Sequence, residues 1–234
     1  MRKIILSTLL IASTLFLTSC LLTAAIGIGT TTILVSNDRR TSGEIIDDKS
    51  IQLTLLSWQS DENKMLKDAH LNFSVYAGTV LITGEVPTVA VRDYLDKKTL
   101  FKDSKIKKVI NEVRIAENSS LLDRIKDSSI TGQIEVLFLD QETFNPIHVK
   151  ITTENYTTYL MGSVTRREAN HAAKIASTAK GVKRIVKLFH YLKNRPATEI
   201  KHNKQRKIEA EKEAKKEKLQ RQNQLSDPDS NWGE

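Results

Sequence analysis

Two stretches of this chain, Thr41 to Ala116 and Ser119 to Lys193, carry the same structural signals in the same order, so the fold is expected to be built twice. The first opens on Asp47 and Asp48, with Ile51, Leu55 and Trp58 following at helical spacing. Adjacent acids suit the positive end of a helix, so an amphipathic helix is predicted to start there. Leu71, Phe73 and Val75 then alternate with polar neighbours, Ala77-Gly78 supplies a turn, and Thr79 to Val86 is a second β-rich run, which together read as a hairpin. Pro87 ends the strand, Val89 to Leu100 fits a second helix, and Val109 to Ile115 forms a closing strand.

In the second copy Leu122, Ile125, Ile130, Ile134, Val136, Leu137 and Phe138 mark a long helix, and a loop runs through Asn145-Pro146. Val149 and Ile151 begin a strand, Glu154-Asn155 turns it, and Tyr156 to Val164 returns. Thr165 and Glu168 make a capping box for a helix whose Ala169, Ala172, Ala173 and Ala176 let it lie close to a sheet. Gly181 is placed to end that helix in a left-handed conformation, and Val182 to Leu192 supplies the last strand. The expected class is α+β, with tandem domains at 41–118 and 119–193. Each is a three-stranded mixed sheet with two helices in α-β-β-α-β order.

Ahead of the repeats, Met1-Arg2-Lys3 is basic, Ile4 to Phe16 is apolar, and Leu17-Thr18-Ser19-Cys20 ends on the only cysteine. This is the grammar of a bacterial lipoprotein signal: residues 1–19 are removed between Ser19 and Cys20, and the thiol carries a diacylglyceryl group, with an N-acyl chain such as palmitate on the new amino terminus. A secretory peptide without lipid and an uncleaved anchor are the alternatives. An anchor needs roughly 20 continuous apolar residues, and this stretch reaches that only through Thr18, Ser19 and a Gly/Thr-rich segment. Several acyl chains at ~0.8 kcal/mol per methylene would hold the protein permanently. Leu21, rather than the Asp of inner-membrane retention, points by resemblance to that sorting rule to the periplasmic face of the outer membrane. Residues 20–40 read as a lipidated tether, whose apolar part from Leu21 to Val35 could also lie on the bilayer interface.

The formal charge is +8, and +6 once Arg2 and Lys3 leave with the signal. A basic exported chain invites anionic phospholipid, lipopolysaccharide phosphate or nucleic acid, and a periplasmic address disfavours the last. The lone cysteine excludes an internal disulfide. The five histidines show no ligand spacing, and no G-x-S-x-G, H-E-x-x-H or P-loop pattern occurs. No enzyme, no metal and no cofactor beyond the acyl groups is expected. Residues 194–234, rich in Lys, Arg, Glu and Gln, read as an exposed, partly helical or disordered tail. A sharper reading makes it an arm touching peptidoglycan or headgroups.

The runs Asn72 to Pro87, Asn111 to Arg114 and Val149 to Lys193, with Thr152-Thr153-Glu154-Asn155, Leu160-Met161-Gly162 and Gly181-Val182-Lys183-Arg184 the most specific, resemble the BON domain. Together with the N-terminal signal they resemble the dual-BON-domain outer-membrane lipoproteins of diderm bacteria. The resemblance implies a non-enzymatic, phospholipid-binding protein supporting envelope integrity near the β-barrel assembly machinery. It places lipid contacts on the first helix of the second domain, Asp123 to Phe138, through Arg124, Lys126, Ser129, Ile130 and Gln133, with Ile130, Ile134 and Leu137 also fitting a core stripe. Gly78, Gly84, Gly162 and Gly181 are implied as backbone residues. Ser129 stands where relatives carry an aromatic residue, a loss that Lys150, Lys174, Lys183, Arg184 and Lys187 could offset. Tyr156 stands where the hairpin turn has Gly, next to an Asn155 that tolerates a left-handed conformation. The alternative function is a protein-interaction scaffold gripping the assembly machinery or peptidoglycan.

Overall fold

The computed structural model describes residues 38–60, 66–97 and 103–225. The expected signal peptide, the expected cleavage and lipidation site at Ser19 and Cys20 and most of the expected tether lie outside these, as does the end of the tail.

The first repeat begins with α1 (Ser42–Ser60) and continues through β1 (His70–Tyr76), β2 (Thr79–Val86), α2 (Val89–Lys97), β3 (Lys108–Asn111) and β4 (Arg114–Ile115). The second has α3 (Leu121–Leu139), a 3₁₀ turn (Pro146–His148), β5 (Val149–Glu154), β6 (Thr157–Thr165), α4 (Arg166–Ala176) and β7 (Arg184–Leu192). A 29-residue helix, α5 (Ala197–Leu225), follows. The described chain forms two compact units, one ending at Tyr191 and the other beginning at Leu192.

Several expectations are corrected. Helix α1 starts before Asp47, because Thr41 and Glu44 cap it: Thr41 Oγ1 accepts from Glu44 N at 3.1 Å and Glu44 accepts from Thr41 N at 3.0 Å. The closing strand of the first repeat is two pieces, both parallel to β2. It breaks because Asn111 Oδ1 captures the Val113 N–H at 3.2 Å, while Glu112 N still reaches Ile82 O. Helix α4 ends at Ala176 with Ser177 as its cap, so Gly181 does not end it. Gly181 does have positive φ, +99°, and a Cβ there would press on Ile130. The last strand starts at Arg184, two residues late.

Each sheet carries its helices on one face. Ile51, Leu55, Phe73, Val80, Ile82 and Leu95 close the first core; Ile130, Ile134, Phe138, Leu160, Val164 and Ala172 close the second. The other faces of the two sheets meet in a third cluster of Tyr76, Ala77, Leu81, Tyr159 and Met161. Around it, Ser74 Oγ lies 2.7 Å from Thr152 Oγ1, Ser163 N donates to Tyr76 Oη, and Lys150 Nζ donates to Val75 O. Gly84 and Gly162 hold equivalent places in β2 and β6, where a Cβ would sit 2.0 Å from His70 O and 2.1 Å from His148 O. Each lets the neighbouring strand approach in a way no side chain permits.

Candidate lipid-facing helix and its frame

The hairpin turns are tied to the helices by one aspartate each. Asp48 accepts from Ala77 N at 2.7 Å and Gly78 N at 2.8 Å. Asp127 accepts from Asn155 N at 2.8 Å and Tyr156 N at 2.9 Å. All four turn residues have positive φ: 48° and 77° in the first turn, 50° and 58° in the second. Two such residues in succession make the tight turn that matches strand twist. The strained Tyr156 is held further by its hydroxyl on Asp123 at 3.3 Å and by Lys183 Nζ 4.2 Å from its ring centre.

Helix α3 is capped by Ser120, whose side chain accepts from Asp123 N. It turns Asp127, Ile130, Ile134 and Phe138 inward. On the opposite side Leu121, Leu122, Ile125, Val136 and Leu139 are exposed, Leu121 at 72 %, Leu139 at 70 % and Ile125 at 55 %. With successive residues about 100° apart on a helix, these five form one stripe, with exposed Ser129 inside it and exposed Gln133 at its edge. Arg124 and Lys126 fall on opposite flanks of it. Arg124 Nε donates to Ser119 Oγ at 3.3 Å. Lys126 pairs with Asp123 at 3.0 Å, which keeps the ammonium protonated, and the Ser120 hydroxyl and Lys126 together hold the Asp123 carboxyl at about 2.

Of the residues the resemblance assigned to lipid, the structure therefore keeps Arg124, Lys126, Ser129 and Gln133 at or beside one exposed face. Ile130, 3 % exposed, takes the core place. Leu137, 36 % exposed, sits at the edge. Lys150 is drawn away from any headgroup by its bond to Val75 O, and burial pulls its ammonium below the ordinary value. Arg184 pairs with Glu112 at 3.4 Å and Lys187 donates to Asn170, and these two with Lys174 and Lys183 are all exposed.

Two features escaped the sequence. The residues just ahead of the first repeat are fixed: Arg39 makes a bidentate pair with Glu168 at 2.8 and 2.9 Å and reaches Ser163 O, so it is pinned to the second domain. Arg40 spans Asp38 and Asp48 and lies 4.5 Å over the Tyr76 ring. The second feature is a polar end of the sheet-to-sheet interface, where His70 Nδ1 is 3.1 Å from Glu85 and 3.9 Å from Glu154. Burial pushes the Glu154 carboxyl up, with Glu85 and Asp127 adding to it. In Glu85 hydrogen bonds from Asn155, Ser119 and His70 outweigh burial and hold its carboxyl low.

Residues 126–193 match the BON domain family. The chain is 32 % identical over 184 residues to the outer membrane lipoprotein DolP of Haemophilus influenzae, covering 79 % of this chain and 94 % of that protein. It is 27 % identical over 156 residues to a protein named 21 kDa hemolysin from Actinobacillus pleuropneumoniae, covering 66 % and 79 %. Among solved structures, CdsD, a structural protein of the type III secretion system of Chlamydia trachomatis, aligns over 62 % of this chain and 63 % of its own at 14 % identity, with a TM-score of 0.24.

Proposed function

The chain belongs to the family of BON-domain outer-membrane lipoproteins, and from that membership we propose that acyl chains on Cys20 hold it at the periplasmic face of the outer membrane. There its second domain binds anionic phospholipid through α3, in support of envelope integrity. The observation that carries the reading is the unpaired stripe of Leu121, Leu122, Ile125, Val136 and Leu139 with Arg124 and Lys126 on its flanks. Laid on a bilayer, such a helix sinks its apolar side chains below the headgroups while basic flanks meet phosphate. Fully buried large apolar side chains contribute ~1.5–3 kcal/mol each, and basic residues near an anionic surface ~1 kcal/mol each. The stripe compensates for Ser129, since aliphatic area on either side of it replaces the missing aromatic.

Cells depleted of the protein and complemented with wild type, Cys20→Ser or the pair Ile125→Asp and Val136→Asp test the reading. Only wild type is expected to restore detergent resistance, with the Cys20→Ser protein lost from the outer-membrane fraction. Full rescue by both variants would contradict it. The scaffold alternative draws on a second exposed stripe, Ile46, Leu53 and Leu56 on α1; it would be favoured if the α3 variants rescue and changes on α1 do not.

A further inference from the structure

Three side chains from three strands converge where the two domains meet. His70 opens β1, Glu85 lies near the end of β2 and Glu154 ends β5, so the first domain supplies two and the second supplies one. One ligand atom from each lies within 4.8 Å of the other two. Zinc bonds of ~2.0–2.2 Å to imidazole and carboxylate place such donors about 3.4 Å apart. The imidazole lies 3.1 and 3.9 Å from the two carboxylates, near that spacing, and the carboxylate pair lies within 4.8 Å. One imidazole nitrogen with two carboxylates suits zinc and neighbouring transition metals better than calcium or magnesium, which favour all-oxygen sites.

The surroundings are those of a supported metal site. Asn72 Nδ2 donates to Glu154 Oε2 at 2.5 Å, Asn155 Nδ2 donates to Glu85 Oε1, and Ser119 N donates to Glu85 Oε2 at 3.2 Å, an outer shell that fixes both carboxylates. Glu85 and Glu154 are 1 % and 5 % exposed, and a divalent cation between two buried carboxylates whose ligand atoms lie within 4.8 Å would offset their mutual repulsion. Thr83, 1 % exposed, lies on the same face of β2 as Glu85 and pairs across to Asn72; among the described residues its hydroxyl has no hydrogen-bond partner. That is unused polar capacity beside the cluster. A cavity of about 480 Å³, lined by His70, Asn72, Arg124, Asp127 and Glu154 among others, adjoins two of the three donors.

We propose that His70, Glu85 and Glu154 bind a divalent transition metal, zinc being the best match, which staples the two BON domains together. The site is independent of Cys20 and of the exposed stripe of α3. No short spacing in the chain marks it, because the donors sit on separate strands.

The full lipidated protein in detergent, stripped with a chelator and titrated with zinc chloride in a calorimeter, tests this. One zinc per chain and a raised melting temperature are expected, with affinity roughly tenfold or more weaker in both His70→Gln and Glu154→Gln. No uptake by the wild type, or equal uptake by the wild type and a folded His70→Gln protein, overturns the proposal. Should a variant fail to fold, cobalt(II) in the wild type decides: intense visible bands of a four-coordinate ion support the site, and weak six-coordinate bands overturn it.

Discussion

Asp48 and Asp127 each accept two backbone N–H groups from a turn whose residues all lie in the left-handed region. Removing such a carboxylate strands two donors, one of the few ways a single change costs several kcal/mol. Asp127→Ala is expected to lower unfolding free energy by about 2 kcal/mol or more in urea titrations, with Asp127→Asn intermediate; an unchanged midpoint would remove the turn-locking role. The position was legible in principle, because Asp48, Ile51 and Leu55 recur at the same spacing as Asp127, Ile130 and Ile134. Its role was not, since adjacency to Asp47 suggested a helix start and the turn it serves lies beyond the rest of α1 and all of β1. Glu168 gives a second prediction at this scale. Burial raises its carboxyl, but Arg39 and the Thr165 amide outweigh that and hold it at about 2 against an ordinary 4.5. A depressed folded-state value means stabilisation present above about pH 4.5 and lost as pH falls through about 2. The shift is worth about 3 kcal/mol, of which about 2 kcal/mol is lost by pH ~3. Glu168→Gln is expected to abolish that part of the acid dependence, and an unchanged pH profile would deny the Arg39 pairing its weight.

Helix α3 has two apolar faces, and periodicity alone could not assign them. Ile130, Ile134 and Phe138 on one side and Leu122, Ile125 and Val136 on the other all scored as helix signal, yet only the first set is buried. Which face a sheet covers is decided by the hairpin and its Asp127 lock, and by Gly181 leaving room for Ile130. The capping box of α4 was fully legible, because Thr165 and Glu168 act within one turn. The break between β3 and β4 was not, since it depends on which N–H the Asn111 side chain takes. Placing aspartate at both Ile125 and Val136 removes apolar area from the exposed face without opening the core. It is expected to weaken binding to anionic vesicles at least about tenfold, given ~1.5–3 kcal/mol for each buried side chain, while the melting temperature stays within the scatter of surface changes. A large fall in melting temperature would mean that the stripe is packed rather than presented.

For the whole molecule, order of elements and family were legible from the duplicated pattern, whereas the meeting of the two sheets was not. Tyr76, Leu81, Tyr159 and Met161 look like ordinary strand residues until both sheets are seen to turn their helix-free faces together. Arg39, ahead of the first repeat, is tied to α4 of the second domain, the same domain that presents the exposed α3 stripe. Arg39 and the α3 stripe thus belong to the same domain frame. The most direct test of lipid recognition is flotation of residues 38–234, lacking the anchor, on zwitterionic vesicles and on vesicles containing phosphatidylglycerol, at low and moderate salt. Flotation with the anionic vesicles alone, fading as salt screens the headgroups, is expected. Failure to float on either would leave Cys20 as the membrane contact and contradict lipid recognition by the folded domains.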